Sequence, residues 1–227
     1  MIGLIGSTGL VGTELKKHIR FGLKYTSKTI GQLPLAKFDT LYISAPSGNR
    51  RAAAADPARD AASVDTIIKH LKETQVQRVV LISTVDTQHA PETPYGANRL
   101  RLEQAIKKFP TFHILRLCTL IDPNINKNIL WDLKNRMYLD SIVGNTQRQY
   151  YPLNRLYNDI QAVMAQDIQE INLVSEPVSD KDILAQFYPD LVVPNGTDCV
   201  KYNVTNKKQY TISREQILKD IAVYLND

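Results

Sequence analysis

Apolar and polar positions fall into alternating blocks along this chain. The run Ile2–Ile5 is apolar, breaks at a glycine-rich turn, and is followed by Leu10, Val11, Leu15 and Ile19 at helical spacing. "FGLKYTS" predicts a second strand, "KTIGQLPLAKF" is too short for a full crossover helix, and "DTLYISAP" predicts a third strand closed by Pro46. "DPARDAASVDTIIKHLKET" predicts a helix with Asp56 as N-cap and Pro57 at its first position. "RVVLIST" is continuously apolar, as in strands buried on both faces. "TPYGANRLRLEQAIKKF" predicts the next helix and "FHILRLCTL" the next strand.

This alternation predicts an α/β fold, a doubly wound parallel sheet with right-handed crossovers. After Asp122 the texture changes. "PNINKNILWDLKNRMY" predicts a less regular helix, "SIVGNTQRQYYPL" an extended segment, "NRLYNDIQAVMAQDI" a helix and "EINLVS" a further strand. "SDKDILAQFYPDL" and "SREQILKDIAVYL" predict amphipathic helices capped by Ser179 or Asp180 and by Ser213. The expected organisation is a parallel-sheet domain over residues 1–120, with a strand near 171–175 rejoining the sheet. Residues 121–227 then form a smaller, mostly helical region.

Composition narrows the picture. The chain has 227 residues, 43% hydrophobic and 22% charged, which suits one domain with a small appendage. No apolar run approaches the ~18 residues that span a membrane, and the first strand starts too early for a signal peptide, so a cytoplasmic protein is expected. The net charge is +5, but lysines and arginines are dispersed and not interleaved with aromatics. An anion pocket on a solvated surface explains that excess, and no nucleic-acid partner is expected. Cys118 and Cys199 have no metal-ligand spacing, and neither do His18, His70, His89 and His113, so no metal site is expected.

Gly6, Gly9 and Gly12 form G-x-x-G-x-x-G between a strand and a helix. The first glycine permits the tight turn, the second lets backbone N–H groups approach a pyrophosphate, and the third lets the helix pack close to the sheet. Gly6, Ser7, Thr8, Gly9, Leu10, Val11 and Gly12 are therefore the candidate dinucleotide cradle. An acid at the end of the second strand would bind a ribose 2′-hydroxyl. That region reads Lys24-Tyr25-Thr26-Ser27-Lys28, and Ser27 with Lys28 suits a 2′-phosphate, so NADP is expected over NAD.

Four stretches in order, "IGSTGLVG", "RVVLISTVD", "YGANRLRLE" and "FHILRLCTLIDP", are similar to the motifs of the short-chain dehydrogenase/reductase superfamily, in its extended or atypical branch of nucleotide-sugar epimerases and dehydratases. A fifth, "EINLVSEPVSDKDILAQF", resembles the late strand and helix beside the substrate. The resemblance implies that Tyr95 is the general acid/base and that Thr84, or Ser83, orients the substrate oxygen. Arg99 stands where the family has lysine, anchoring ribose and lowering the tyrosine's pKa. A tyrosine titrates near 10, so transfer at neutral pH asks for a drop of about 3, roughly 4 kcal/mol. The resemblance also makes Ser44, Ala45 and Pro46 cofactor contacts.

It further implies a small-molecule substrate, a sugar or sugar nucleotide, and a homodimer through helices near 57–73 and 94–109. Asp86, Arg136, Arg148 and Tyr151 are weaker substrate candidates, each equally readable as a surface or structural residue. Val85 interrupts the acidic pair of the 4,6-dehydratases, so dehydration is not expected. Ser63 stands near the family's catalytic-site asparagine, the interval from Thr84 to Tyr95 is short, and so is the substrate-side region. The expected function is NAD(P)-dependent oxidoreduction or epimerisation at a carbinol or carbonyl carbon. The alternative is a non-catalytic NAD(P)-binding regulator or scaffold. A semialdehyde dehydrogenase would need a nucleophilic cysteine in a loop, whereas Cys118 falls in an apolar strand.

Overall fold

In the computed structural model, which describes residues 1–194, 196 and 199–226, the elements follow one another as follows. They begin with β1 (Ile2–Ile5), α1 (Leu10–His18), β2 (Leu23–Tyr25), a 3-10 turn (Ile30–Leu35), β3 (Lys37–Ile43), α2 (Arg50–Ala55) and α3 (Pro57–Lys72). Then come β4 (Gln75–Thr84), α4 (Asp86–His89), α5 (Pro94–Ile106), β5 (Thr111–Leu117), β6 (Thr119–Ile121) and α6 (Ile129–Lys134). The chain ends with β7 (Gln147–Arg148), β8 (Tyr150–Pro152), α7 (Leu156–Ala165), β9 (Glu170–Leu173), β10 (Val178–Ser179), α8 (Asp180–Phe187) and α9 (Arg214–Asn226).

The main sheet has six strands in the order β2-β1-β3-β4-β5-β9, a parallel Rossmann-like sheet with flanking helices. The register Ile5↔Ile43 and Ile43↔Leu81 brings the carboxyl ends of β1, β3 and β4 to one edge. Val79, Val80 and Leu81 are at most 1% exposed, which is why this strand reads as continuously apolar. One core face joins Leu41, Ile43 and Val79 of the sheet to Val64, Ile67 and Leu71 of α3 and to Leu102 and Ile106 of α5. Each such side chain contributes about 1.5–3 kcal/mol by leaving water.

The caps follow the local sequence. Asp56 accepts from the Arg59 N–H ahead of Pro57, and Thr93 accepts from the Gly96 N–H ahead of Pro94. At Gly96 a Cβ would stand 2.1 Å from the Ala90 carbonyl oxygen, so only glycine lets α5 start this close to the preceding turn.

The chain divides into two compact units, residues 1–116 with 155–171, and 117–154 with 172–226. In the first, α7 packs on α1. In the second, β6 pairs in parallel with β8 and β7 pairs antiparallel with β10, with α9 against β6, β8 and α6. Ser179 caps α8 in a reciprocal capping box with Asp182, and the Ser213 hydroxyl accepts from Gln216 at the start of α9. The helix expected over "PNINKNILWDLKNRMY" is shorter, Ile129–Lys134. Asn128, at φ 121°, turns its side chain onto the Leu130 and Trp131 N–H groups, while Arg136 and Tyr138 adopt left-handed backbone that ends the helix.

Candidate active site

The glycine turn leaves β1 and enters α1. Gly6 has φ +90°, and a Cβ there would meet the Ser44 carbonyl oxygen at 2.6 Å. A Cβ on Gly12 would stand 2.2 Å from the Gly6 carbonyl oxygen, whereas one on Gly9 would have only an ordinary contact at 3.6 Å. Ser44, just past β3, braces the turn from below by donating to the Ile5 and Gly6 carbonyls at 3.2 Å each. Ala45 and Pro46 continue that segment, half-buried. The N-cap Gly9 provides no side-chain cap, and α1 has no acid in its first turn. Its leading N–H groups thus have no side-chain acceptor at the turn, and Thr8 and Gly9 are exposed while Ser7 is buried. The residues present fit a dinucleotide diphosphate: a turn packed tightly at Gly6 and Gly12, an exposed Gly9 at its tip, helix N–H donors and no acid in the first helical turn.

Tyr25 at the end of β2 accepts from both the Gly6 and Ser7 N–H groups through its carbonyl, at 3.0 and 3.2 Å. This joins the β2 end to the cradle. Ser27 and Lys28 follow, exposed in a turn that Thr26 and Thr29 brace: the Thr29 hydroxyl accepts from the Thr26 N–H at 3.0 Å.

The Tyr95 constellation lies in the same unit. Adjacent residues of β4 point to opposite faces, and this separates the two candidate hydroxyls. The Thr84 side chain stands beside the Tyr95 phenol, where it favours the ionised form, while Ser83 donates to Glu103 Oε1 at 2.6 Å. Glu103 is fully buried and also takes Arg116, whose Nε is 2.9 Å from Oε1 and whose Nη2 is 2.6 Å from Oε2. The Ser83 hydroxyl is therefore committed to the network that ties α5 to β4 and β5, and does not meet Tyr95.

Arg99 shares a helix face with Tyr95, its guanidinium carbon 4.4 Å from the ring centroid. It is 5% exposed and donates to Asp60 Oδ2 from Nη1 at 3.0 Å, to Asp60 Oδ1 from Nη2 at 2.9 Å, and to the Ser47 carbonyl at 2.7 Å. Asn98 also donates to Asp60, at 2.9 Å. Arg99 acts on the Tyr95 phenol in the expected direction, but it has competitors. Burial pushes the phenol up, Arg99 and Arg50 pull it down, Asp86 pushes it up, Thr84 pulls it down, and the net direction in the protein alone is upward. Paired with a carboxylate, Arg99 is not the free cation that the Tyr–Lys pattern implies.

Two more groups stand beside the tyrosine. Arg50 of α2 forms an ion pair with Asp86 of α4, a carboxylate 3% exposed. A Cβ on Gly48 would lie 3.7 Å from the Tyr95 hydroxyl, so the segment after β3 passes close to it. Asp60, Arg50 and Gly48 escape sequence reading because each meets Tyr95 or Arg99 only through the crossover geometry. The one legible signal is that an arginine in place of lysine asks for a planar, two-oxygen acceptor. Ser63, by contrast, is exposed and donates to the Arg59 carbonyl of its own helix at 2.9 Å.

The substrate candidates of the second unit have structural engagements there. Arg148 forms a two-bond pair with Asp180, at 2.8 and 2.9 Å. Arg136 is exposed and stacks over Tyr188 at 5.3 Å, and Tyr151 is fully buried. Cys118 is buried, its thiol 3.6 Å from the Leu173 carbonyl. Among the described residues no group of three His, Cys, Asp or Glu side chains is placed to hold a metal ion. None of the helices is long and apolar enough to cross a membrane.

No family model matches the chain, and no curated protein matches it by sequence. Solved structures do match by fold. A UDP-glucose 4-epimerase with UDP-glucose from Thermotoga maritima is 14% identical, with 99% of this chain and 97% of that one covered and a TM-score of 0.70. A dTDP-glucose 4,6-dehydratase from Streptomyces venezuelae, with NAD bound, is 12% identical, with 99% and 96% covered and a TM-score of 0.74. A UDP-glucose 4-epimerase from Thermus thermophilus in complex with NAD is 10% identical, with 99% and 98% covered and a TM-score of 0.71. The chain has the fold of these enzymes.

Proposed function

We propose that this protein binds a nicotinamide dinucleotide at the Gly6–Gly12 turn and catalyses oxidoreduction or epimerisation at a carbinol or carbonyl carbon. The observation that carries this reading is the Thr84 side chain beside the Tyr95 phenol, in the same unit as the tight glycine turn at the start of α1. The dinucleotide, when bound, supplies or accepts the hydride. The chain does the rest. Thr84 and Tyr95 hold the substrate oxygen by hydrogen bonds, and as a carbonyl becomes a carbinol the Tyr95 phenolic proton passes to that oxygen. The reverse reaction returns it.

The substrate is a sugar nucleotide on this reading. The support is the fold shared with an epimerase and a dehydratase whose structures hold a nucleotide sugar and NAD, respectively. NADP is preferred over NAD because Ser27 and Lys28 stand exposed at the end of β2, where an acid would repel a 2′-phosphate. A cytoplasmic homodimer pairing through α3 and α5 completes the proposal, and light scattering at two concentrations tests the pairing.

The Asp60–Arg99 pair favours a second reading, a non-catalytic dinucleotide-binding module, because the cation beside Tyr95 is already engaged. Thermal shifts with NADPH and NADH, followed by NAD(P)H absorbance changes and chromatographic analysis of products over a panel of UDP- and dTDP-sugars, separate the two. Binding with turnover that is lost in Tyr95→Phe supports the enzyme. Binding without turnover of any panel member leaves the module. If neither dinucleotide shifts the melting temperature, both fail.

A further inference from the structure

The Tyr95 phenol is faced by charged and polar groups from every element packed against it. Arg99 comes from its own helix α5, Asp60 from α3, Arg50 from α2, Asp86 from α4 and the Thr84 hydroxyl from β4, with Gly48 close by. The charges occur as two ion pairs. Arg99 with Asp60 is buried and bidentate, and Arg50 with Asp86 has its carboxylate buried. Each cation beside the ring therefore has a carboxylate partner; Arg99 and Arg50 still favour the ionised phenol, but burial outweighs them.

From this geometry we infer that Asp60 is a positioning residue, which offsets the charge of Arg99 and fixes its guanidinium over the Tyr95 ring so that the phenol keeps its proton at neutral pH. Asp60 contacts neither the phenol hydroxyl nor the glycine cradle; it acts through Arg99. The fork of bonds to both terminal nitrogens fixes the guanidinium plane. The Ser47 carbonyl takes a further donor from the same nitrogen, Nη2, at 2.7 Å. The Asn98 donor at 2.9 Å anchors the carboxylate from one residue before Arg99. A lysine could not take up this arrangement, having neither the plane nor the second nitrogen. The arginine and the aspartate therefore form one device. It leaves Tyr95 protonated at neutral pH, the form that can pass a proton to a carbonyl oxygen as it is reduced.

The bearing on catalysis rests on Tyr95 being the proton-transfer residue proposed above; the following test does not. The apo protein is titrated from neutral to alkaline pH by phenolate absorbance, with Tyr95→Phe subtracted in each background to isolate Tyr95. A free tyrosine titrates near 10. The wild-type protein is expected to give no Tyr95 difference signal by about pH 10. Asp60→Asn keeps the shape and the hydrogen-bond acceptor while leaving Arg99 charged, and is expected to move the midpoint down by about 1 pH unit or more, into the measurable range. The double variant Asp60→Asn/Arg99→Gln removes both charges and should return the signal to wild-type behaviour.

An unmoved midpoint in folded Asp60→Asn, or a double variant that titrates like Asp60→Asn alone, overturns the inference. If Asp60→Asn does not fold, Asp60→Glu against Asp60→Ser carries the test. Glutamate keeps the charge and should restore the silent wild-type titration, whereas serine should not; equal midpoints in those two variants overturn it. Dinucleotide thermal shifts on the same samples show separately whether the functional reading holds.

Discussion

Asp60 grips Arg99 by both terminal nitrogens, Oδ2 to Nη1 at 3.0 Å and Oδ1 to Nη2 at 2.9 Å, and the same guanidinium stacks on Tyr95 at 4.4 Å. One ion pair thereby joins α3 to α5 and gives the tyrosine its neighbour. Cutting the arginine leaves a carboxylate 11% exposed without its main partner. Arg99→Ala is expected to lose about 3 kcal/mol in urea denaturation, and Arg99→Lys, which cannot form the fork, about 1–3 kcal/mol. If Arg99→Lys matches wild type, the bidentate geometry contributes nothing to stability.

Two glycines of the turn are expected to respond differently to alanine. Gly12→Ala would place a methyl 2.2 Å from the Gly6 carbonyl oxygen and should cost about 1–3 kcal/mol, because backbone must move. Gly9→Ala meets only an ordinary contact at 3.6 Å, so the fold should keep its melting temperature while dinucleotide binding falls at least ~10-fold, since the methyl stands where the diphosphate would approach. Gly31→Ala, with nothing within 4 Å, is the neutral control. Calorimetry and dinucleotide titration of the three variants check this pattern; retained affinity in Gly9→Ala would move the diphosphate elsewhere.

The neighbouring hydroxyls of β4 are expected to separate by phenotype. Ser83→Ala removes a donor from the fully buried Glu103 and should cost about 1.5–3 kcal/mol while dinucleotide binding persists. Thr84→Ala should leave stability within about 1 kcal/mol and lower turnover by about 10²-fold. Paired denaturation and rate measurements decide, and a swap of the two phenotypes would reverse the assignment.

Cofactor choice is expected to follow charge at the end of β2. Lys28→Glu should weaken NADPH relative to NADH by about tenfold or more, since it sets a carboxylate where a 2′-phosphate would lie. Fluorescence titration with both dinucleotides reads the ratio. An unchanged ratio would remove Lys28 from the site.

Acid sensitivity should be traceable to Glu170. Burial pushes its carboxyl up, but hydrogen bonds and charge from Lys107 and Arg116 outweigh this and hold it below the ordinary glutamate value. A carboxyl depressed in the folded state contributes stability that is complete above its unfolded value and is lost as pH falls through its folded one. Glu170→Gln should therefore be less stable than wild type near neutral pH, and the two curves should converge on acidification. Urea midpoints across an acid-to-neutral series test this, and a gap that widens towards acid would contradict the sign.

Much of this protein is determined by local sequence. The apolar blocks set strand and helix order, Asp56-Pro57 and Ser179 set helix starts through their own side chains, and Gly6 and Gly12 mark a turn that no Cβ could enter. These features depend on residues a few positions apart, so periodicity and turn chemistry report them. Where local signals are weak, periodicity misleads: the Asn-rich stretch after Asp122 suggests a longer helix than Asn128 and the left-handed Arg136 permit. Strand alternation put Ser83 and Thr84 on opposite faces, but only the packing of α5 decided which of them meets Tyr95. Likewise, the sequence showed an arginine in a lysine's place, and only the crossover of α3 over the sheet brought Asp60 to it across 39 positions. Charge state at a buried tyrosine depends on every partner within a few ångströms, and those partners come from five separate elements that only the folded sheet assembles.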